Sequence, residues 1–262
     1  MIKFFHTFRK KLIGQNNVRK YLLYAFGEIM LLVIGILIAL QVNNWNQNRL
    51  DSAAAANAQI RMLDDLYEEL TDMESMLSYK KIVRKYATRA ISVFEMGVLS
   101  DETSPESFLI DLYQASQIND AQQSNSTYLE LLASGKIGFI ENVTLRSSII
   151  SHYSYDWTTS IIFSLQDPYR ENIRRELPSS IQSHIRNECG DQYVKTRVEL
   201  PESCDISFDE ELTQKTVSDI LKNDLLKSDL RYHLGNLDAQ ILLLITFKDN
   251  LEKIITDLEG EI

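Results

Sequence analysis

Residues 21–42, YLLYAFGEIMLLVIGILIALQV, form one hydrophobic span near the start of an otherwise polar chain, and its one carboxylate is Glu28. Crossing a hydrocarbon core of roughly 30 Å takes about 20 helical residues at 1.5 Å each. The charge-free stretch from Ile29 to Leu40 reaches only about 18 Å by the same rise. A crossing helix must therefore recruit Tyr21 to Gly27, which puts Glu28 below the headgroups. The expected organisation is a basic segment over 1–20, a transmembrane helix over 21–42 and an extracytoplasmic domain over 43–262.

Lys3, Arg9, Lys10, Lys11, Arg19 and Lys20 precede the span and no acidic residue does. Cationic flanks stay inside, so the N-terminus is expected in the cytoplasm. The start, MIKFFHTFRKKLIGQ, interleaves Ile2, Phe4, Phe5, Phe8 and Leu12 with cations, as an amphipathic helix in an anionic inner leaflet would. Tyr21, Tyr24 and Trp45 are suited to the two interfaces. A cleaved signal peptide is the competing reading, against which stand the long basic region and the lack of a small-x-small site soon after Leu40.

Of 27 basic and 37 acidic residues, six and one fall in 1–44, which leaves the remainder at −15. So acidic a domain makes nucleic acid an unsuitable partner, because phosphate binding needs a basic surface. Membrane lipid is the expected one. The two cysteines, Cys189 and Cys204, fall in this part, where one disulfide closing CGDQYVKTRVELPESC is the default in an oxidising compartment. A metal pair or a redox pair competes, without further cysteines or a C-x-x-C spacing to support it.

With four prolines, few glycines and almost no hairpin signals, the fold class is all-α, a transmembrane helix continuing into an antiparallel helical bundle. No glycine or proline interrupts Ile36 to Met96, and a stalk helix is expected over about 45–97. Leu63, Leu66, Leu70, Met73 and Leu77 alternate spacings of three and four, the seam of a bundle. Gly97 should end that helix. Further helices are expected from Pro105 to about Ile118, over TYLELLAS capped by Ser126, and from Asn142 or Thr144 through Trp157 to about Leu165. Others follow from Pro168 to Leu177, from Pro178 or Ser179 to Asn187, and from Ser207–Glu210 to about Lys227. The last begins at Ser228 or Asp229. Leu237, Ile241, Leu244, Leu251, Ile255 and Leu258 give it a matching seam that can pair with the long helix.

The opening YLLYAFGEI, followed by IGILIALQVNNWN, resembles a widespread family of uncharacterised bacterial membrane proteins, a domain of unknown function. TYLELLASGKIGFIEN followed by LRSSIISHYS is similar to a second block of that family. The resemblance covers most of the chain. It implies a bacterial inner-membrane anchor with a helical periplasmic domain, and no activity.

Gly27, Leu31, Gly35 and Ala39 recur every fourth residue, and Gly35-x-x-x-Ala39 is a pair that lets membrane helices approach closely. The alternative is the ordinary glycine content of such helices. Three readings of Glu28 stand open: a neutral hydrogen bonder across an oligomer, a side chain snorkelling toward Lys20, or a titrating ion site. The last is similar in layout to stator-type proteins of ion-driven motors, without their surrounding motif. Gln41, Asn43, Asn44, Trp45 and Asn46 form a polar cluster at the outer interface, either bonding between helices or a generic polar flank.

His152, Tyr153, Asp156 and Trp157 are the most ligand-like patch in the remainder. His152 and Asp156 are four apart on one helix face, compatible with two metal ligands but equally with core packing and a surface pair. His184 and His233 are isolated in sequence. Asp64-Asp65 and Glu68-Glu69 are expected on a solvated face. No G-x-S-x-G, H-E-x-x-H, P-loop or dinucleotide glycine pattern is present, so neither catalysis nor a cofactor is expected. The functions that remain are an accessory subunit that self-associates or docks another membrane protein, an oligomeric channel or ion-coupled component using Glu28, and a ligand-sensing module acting through a partner.

Overall fold

A computed structural model describes residues 18–120, 123–194 and 197–261. The basic segment expected over 1–20 lies outside the described residues up to Asn17, as do the side chains of Lys20 and Tyr21 and hence any Glu28–Lys20 contact. Helix is dominant, and the first helix, α1 (Val18–Met96), runs 79 residues without a break. The chain divides into two compact units at Asn57 and Ala58.

Within the first unit, α1 carries an 18-residue stretch that is long and apolar enough to cross a membrane, and none of that stretch is buried. Its leucines, isoleucines and Phe26 are all exposed.

The second unit, Ala58–Ile262, is built on the rest of α1 and on the last helix, α9 (Asp224–Glu259). Between them come α2 (Pro105–Gln114), α3 (Ser126–Ala133), α4 (Val143–Tyr153), α5 (Ile161–Ser164), α6 (Pro168–Glu176), α7 (Ser179–Cys189) and α8 (Glu210–Leu221). A short antiparallel hairpin, β1 (Gln192–Val194) with β2 (Arg197–Glu199), interrupts the helices inside the disulfide loop. Polar contacts between α1 and α9 run in opposite order along the two helices. Tyr67 meets Glu259, Glu74 meets Lys248, Arg84 meets Asp238, and Glu95 meets Arg231.

Helix ends follow local chemistry. Gly97, at φ +76°, takes the left-handed conformation that closes α1, with its N–H on the Val93 carbonyl at 2.9 Å. The Ser104 hydroxyl and the Asn142 amide oxygen cap α2 and α4. Several expected boundaries are corrected: α2 stops at Gln114 rather than about Ile118, and α9 begins at Asp224 rather than at Ser228 or Asp229. The helix from Asn142 stops at Tyr153 rather than Leu165, because the Asp156 carboxylate accepts from the Thr158 N–H at 2.9 Å and starts a 3₁₀ turn, Trp157–Thr159. The helix from Glu210 stops at Leu221 rather than Lys227, because Asn223 caps α9 through the Leu226 N–H at 3.0 Å.

The seam of α1 is also displaced from the leucine pattern. Met62, Leu66, Glu69, Met73, Met76, Lys80, Val83, Ala87, Ala90 and Phe94 are all buried, at strictly alternating spacings of four and three. Leu63 and Leu70 are only half-buried. Hydropathy alone misplaces the line because two of its positions are charged. Around the seam lie two apolar cores. One holds Ala58 to Leu77 of α1 with α3, α4, Trp157 and Leu244 to Leu258 of α9. The other holds Tyr79 to Phe94 with α2, α6, α7, α8 and Leu226 to Leu237.

Candidate functional site

In the first unit Glu28, Leu31, Gly35 and Ala39 are exposed along the helix and Gly27 is half-exposed. A Cβ added at Gly27 or Gly35 would meet nothing within 4 Å. Gln41, Asn43, Asn44, Trp45 and Asn46 are exposed too, and Asn46 accepts from Arg49 at 3.4 Å. These residues share one helix, and that is the whole of their described geometry.

In the second unit the sequence-predicted patch is drawn together around a residue assigned to the wrong environment. Glu69, expected on a solvated face with Glu68, is 0% exposed. Trp157 donates its indole N–H to Glu69 Oε1 at 2.9 Å, and His152 Nε2 lies 3.1 Å from both carboxylate oxygens. Tyr153 stacks on Tyr128 and donates its hydroxyl to the Ser124 carbonyl. Asp156 stands apart. It is the cap of the 3₁₀ turn and does not share a helix face with His152, since α4 ends between them. Among the described residues no three His, Cys, Asp or Glu side chains converge as metal ligands. The neighbouring carboxylate Asp65 is likewise engaged. It accepts from the Thr127 N–H at 2.7 Å and the Ser126 hydroxyl at 2.9 Å, so Asp65 rather than Ser126 caps α3.

Cys189 and Cys204 form the expected disulfide, with their Cα atoms 5.7 Å apart. Two α1 tyrosines hold the loop it closes. Tyr79 donates to Asp191 at 2.7 Å and Tyr86 to the Pro201 carbonyl at 2.8 Å. Burial, then the Asp191 carboxylate, pushes the Tyr79 phenol far above its ordinary pKa. His184, isolated in sequence, packs edge-on against Phe208 with ring centroids 5.7 Å apart.

The second charged seam residue differs from the first. Lys80, 8% exposed, makes no hydrogen bond or ion pair with any described residue, and its ammonium sits 5.8 Å from the centre of the Phe163 ring. Burial lowers its pKa to about 8, against the partial support of Asp120 and Asp167. Lys80 lines a cavity of about 380 Å³ with Met76, Arg170, His233, Leu237 and Gln240. The cavity lies where the two apolar cores meet, between Leu77 and Tyr79 on α1 and between Leu237 and Leu244 on α9.

His233, isolated in sequence, is not isolated here. Its Nδ1 lies 2.6 Å from Asp167 Oδ2, and its ring stacks on Tyr169 with centroids 5.1 Å apart. Asp167 caps α6 through the Tyr169 N–H, its position before Pro168 keeping it extended. Burial works to raise the Asp167 carboxyl, and the bonds from His233, Tyr169 and Asn236 overcome it and hold the pKa below its usual value. Because the carboxylate only accepts, the Nδ1–H donates to it, and the opposite edge of the ring, Nε2, is held toward the cavity. That Nε2 is buried without a partner, and so is Gln240 Oε1, whose amide is fixed by donation to the Ile162 carbonyl at 3.2 Å. No described hydroxyl or thiol hydrogen-bonds Nε2.

The leucine and amide patterns gave no warning of Lys80, His233 or Gln240. The available signal was their place on the seams: Lys80 falls on the four-three alternation of α1, and His233 lies between Leu230 and Leu237 on α9. The chain matches no protein family, no curated protein and no solved structure.

Proposed function

We propose that the chain is a single-span membrane protein whose helix anchors, and docks to a copy of itself or another membrane protein, while the second unit acts outside the cytoplasm as an accessory interaction domain. One observation carries the reading: an 18-residue apolar stretch of α1 with none of it buried. Apolar surface on that scale is stable only against lipid or another apolar helix. The cationic flank before it supports an inside N-terminus, and the family-like opening supports the bacterial inner membrane as the site. The exposed Gly27, Leu31, Gly35 and Ala39 suit close helix approach, and Glu28 beside them is costly in lipid unless it faces a neighbour.

Two measurements test this reading. Reporter fusions after Asn17 and after Glu259 should place the two ends on opposite sides of the membrane; the same side for both sinks the anchor. Native mass spectrometry of the full chain in lipid nanodiscs should give an oligomer or a co-purifying partner that Gly35→Leu disrupts. An unchanged assembly removes the docking role of that face. A closed ring with Glu28 toward its axis would move the reading to an ion-conducting component.

A further inference from the structure

The cavity between the two apolar cores holds groups the folded chain leaves unsatisfied, and they are of opposite kinds. The positive ones come from α1 and α6. Lys80 has no hydrogen-bonding partner among the described residues, and Arg170 uses Nη1 on the Ser116 carbonyl. The accepting ones are Gln240 Oε1 on α9 and Asn119 Oδ1, both buried and without a partner among the described residues, with the unpartnered His233 Nε2 beside them. Beside them Met76, Phe163 and Leu237 supply apolar wall.

The contrast with Glu69 is what makes this informative. Both are charged residues on the same buried seam, 11 positions apart in the sequence. The chain supplies Glu69 with an indole N–H and an imidazole. It gives Lys80 an aromatic ring, the partial support of the Asp120 and Asp167 carboxylates, and an empty volume. A buried ammonium is strongly disfavoured unless something pairs with it, and a methionine in its place would pack the seam without that cost. A water-sized gap would explain a bridging solvent molecule, but about 380 Å³ falls within the range of small-molecule sites.

We propose that this cavity binds a small zwitterion, a free α-amino acid with an apolar side chain, its carboxylate on Lys80 and Arg170 and its ammonium on Gln240 Oε1 and Asn119 Oδ1. A simple anion would leave Gln240 Oε1 and Asn119 Oδ1 unsatisfied, and a simple cation would meet Lys80 and Arg170. Only a molecule carrying both an anion and strong donors answers every free group. His233 is held in place before the ligand arrives, by Asp167 on one edge and Tyr169 on its face, so ordering it costs the complex little. The segment bearing Ser116 and Gln117 is fixed by Arg174, which donates to the Ser116 hydroxyl at 2.8 Å and to Gln117 Oε1 at 3.1 Å.

The test uses the full chain in lipid nanodiscs, screened by thermal shift against the twenty L-amino acids singly, with calorimetry on those that shift. The expected result is saturable binding of one or more amino acids with apolar side chains. The carboxamide of each hit and its des-amino acid should bind at least about ten-fold more weakly, as loss of a charge-assisted contact requires. Lys80→Met should abolish the shift while keeping the near-ultraviolet dichroism of the fold, and Gln240→Leu should weaken it. Were Lys80→Met to misfold, Gln240→Leu decides alone. The proposal is overturned if none of the twenty binds, if the des-amino acid binds as well as its parent, or if binding survives both substitutions. None of these outcomes bears on membrane anchoring or oligomer size.

Discussion

Trp157 donates its indole N–H to Glu69 Oε1 at 2.9 Å, joining the buried residue of a 3₁₀ turn to a charged position on the long-helix seam. His152 completes the site from α4, so one carboxylate organises three elements. Removing it strands two buried donors in an apolar core. Glu69→Ala is expected to cost about 3–5 kcal/mol of unfolding free energy, and Glu69→Gln clearly less because an acceptor survives. Urea unfolding followed by Trp157 fluorescence in a Trp45→Phe background measures both. Equal losses in the two variants would mean that the charge, not the acceptor, holds the turn.

Lys80 makes the opposite prediction. Its pKa falls from 10.5 unfolded to about 8 folded, so the folded chain resists protonation. Below about pH 8 the penalty is full; it fades as pH rises toward 10.5, where the unfolded amine also loses its proton. A shift of this size corresponds to about 3 kcal/mol. Lys80→Met should therefore be more stable than the parent at pH 7, and the gap should narrow between pH 8 and 10. Tyr79, Tyr153 and Tyr169, whose buried phenols are all pushed up, work against stability near and above pH 10 in both proteins. The quantity to follow is therefore the difference between parent and variant across pH 7–9.5. A variant less stable than the parent at pH 7 would refute the picture of an uncompensated charge.

Much of the helical frame was legible because helix ends are written locally. Gly97, Ser104, Asn142 and Asp209 each act where their side chains, or the absence of one, suggested. The errors came where a polar residue had two possible roles. Asp156 and Asn223 look like ordinary surface positions in a helical stretch, yet each caps a new turn and ends the helix early. Glu69 and Lys80 look solvated because burial of a charge depends on partners distant in sequence: His152 and Trp157 for one, the α6 and α9 lining for the other. The same holds for Asp167 and His233, 66 residues apart and in contact. Around Glu28 the structure adds to the sequence only that the carboxylate on this apolar helix is left exposed by the described residues.

Asp65 stands in for a cap that α3 lacks. Asn125 occupies the capping position without a side-chain bond, and the carboxylate reaches across from α1 to the Thr127 N–H and the Ser126 hydroxyl. A negative charge at a helix N-terminus adds a favourable dipole contact. Asp65→Ala is expected to cost about 1–2 kcal/mol, and Asp65→Asn less than half of that. Hydrogen exchange at Thr127 should accelerate in the alanine variant ahead of the α9 core amides. Uniform acceleration throughout the unit would instead mean that Asp65 supports the whole fold.

The Cys189–Cys204 disulfide ties the end of α7 to the segment before α8, across a sequence separation of 15. A loop of that length contributes about 3 kcal/mol through the restricted unfolded chain. Reduction should not release the loop entirely, because Tyr79 on Asp191, Tyr86 on the Pro201 carbonyl and Arg197 on Asp72 hold it from α1. The Cys189→Ser, Cys204→Ser variant should therefore fold, with a lower midpoint and faster proteolysis at the exposed strand β1. Adding Tyr86→Phe should lower the midpoint further than it does in the oxidised parent, since the covalent tie and the hydroxyl restrain one loop and their losses do not simply add. Strict additivity would mean that the tyrosine acts only within the α1 core and takes no part in holding the loop.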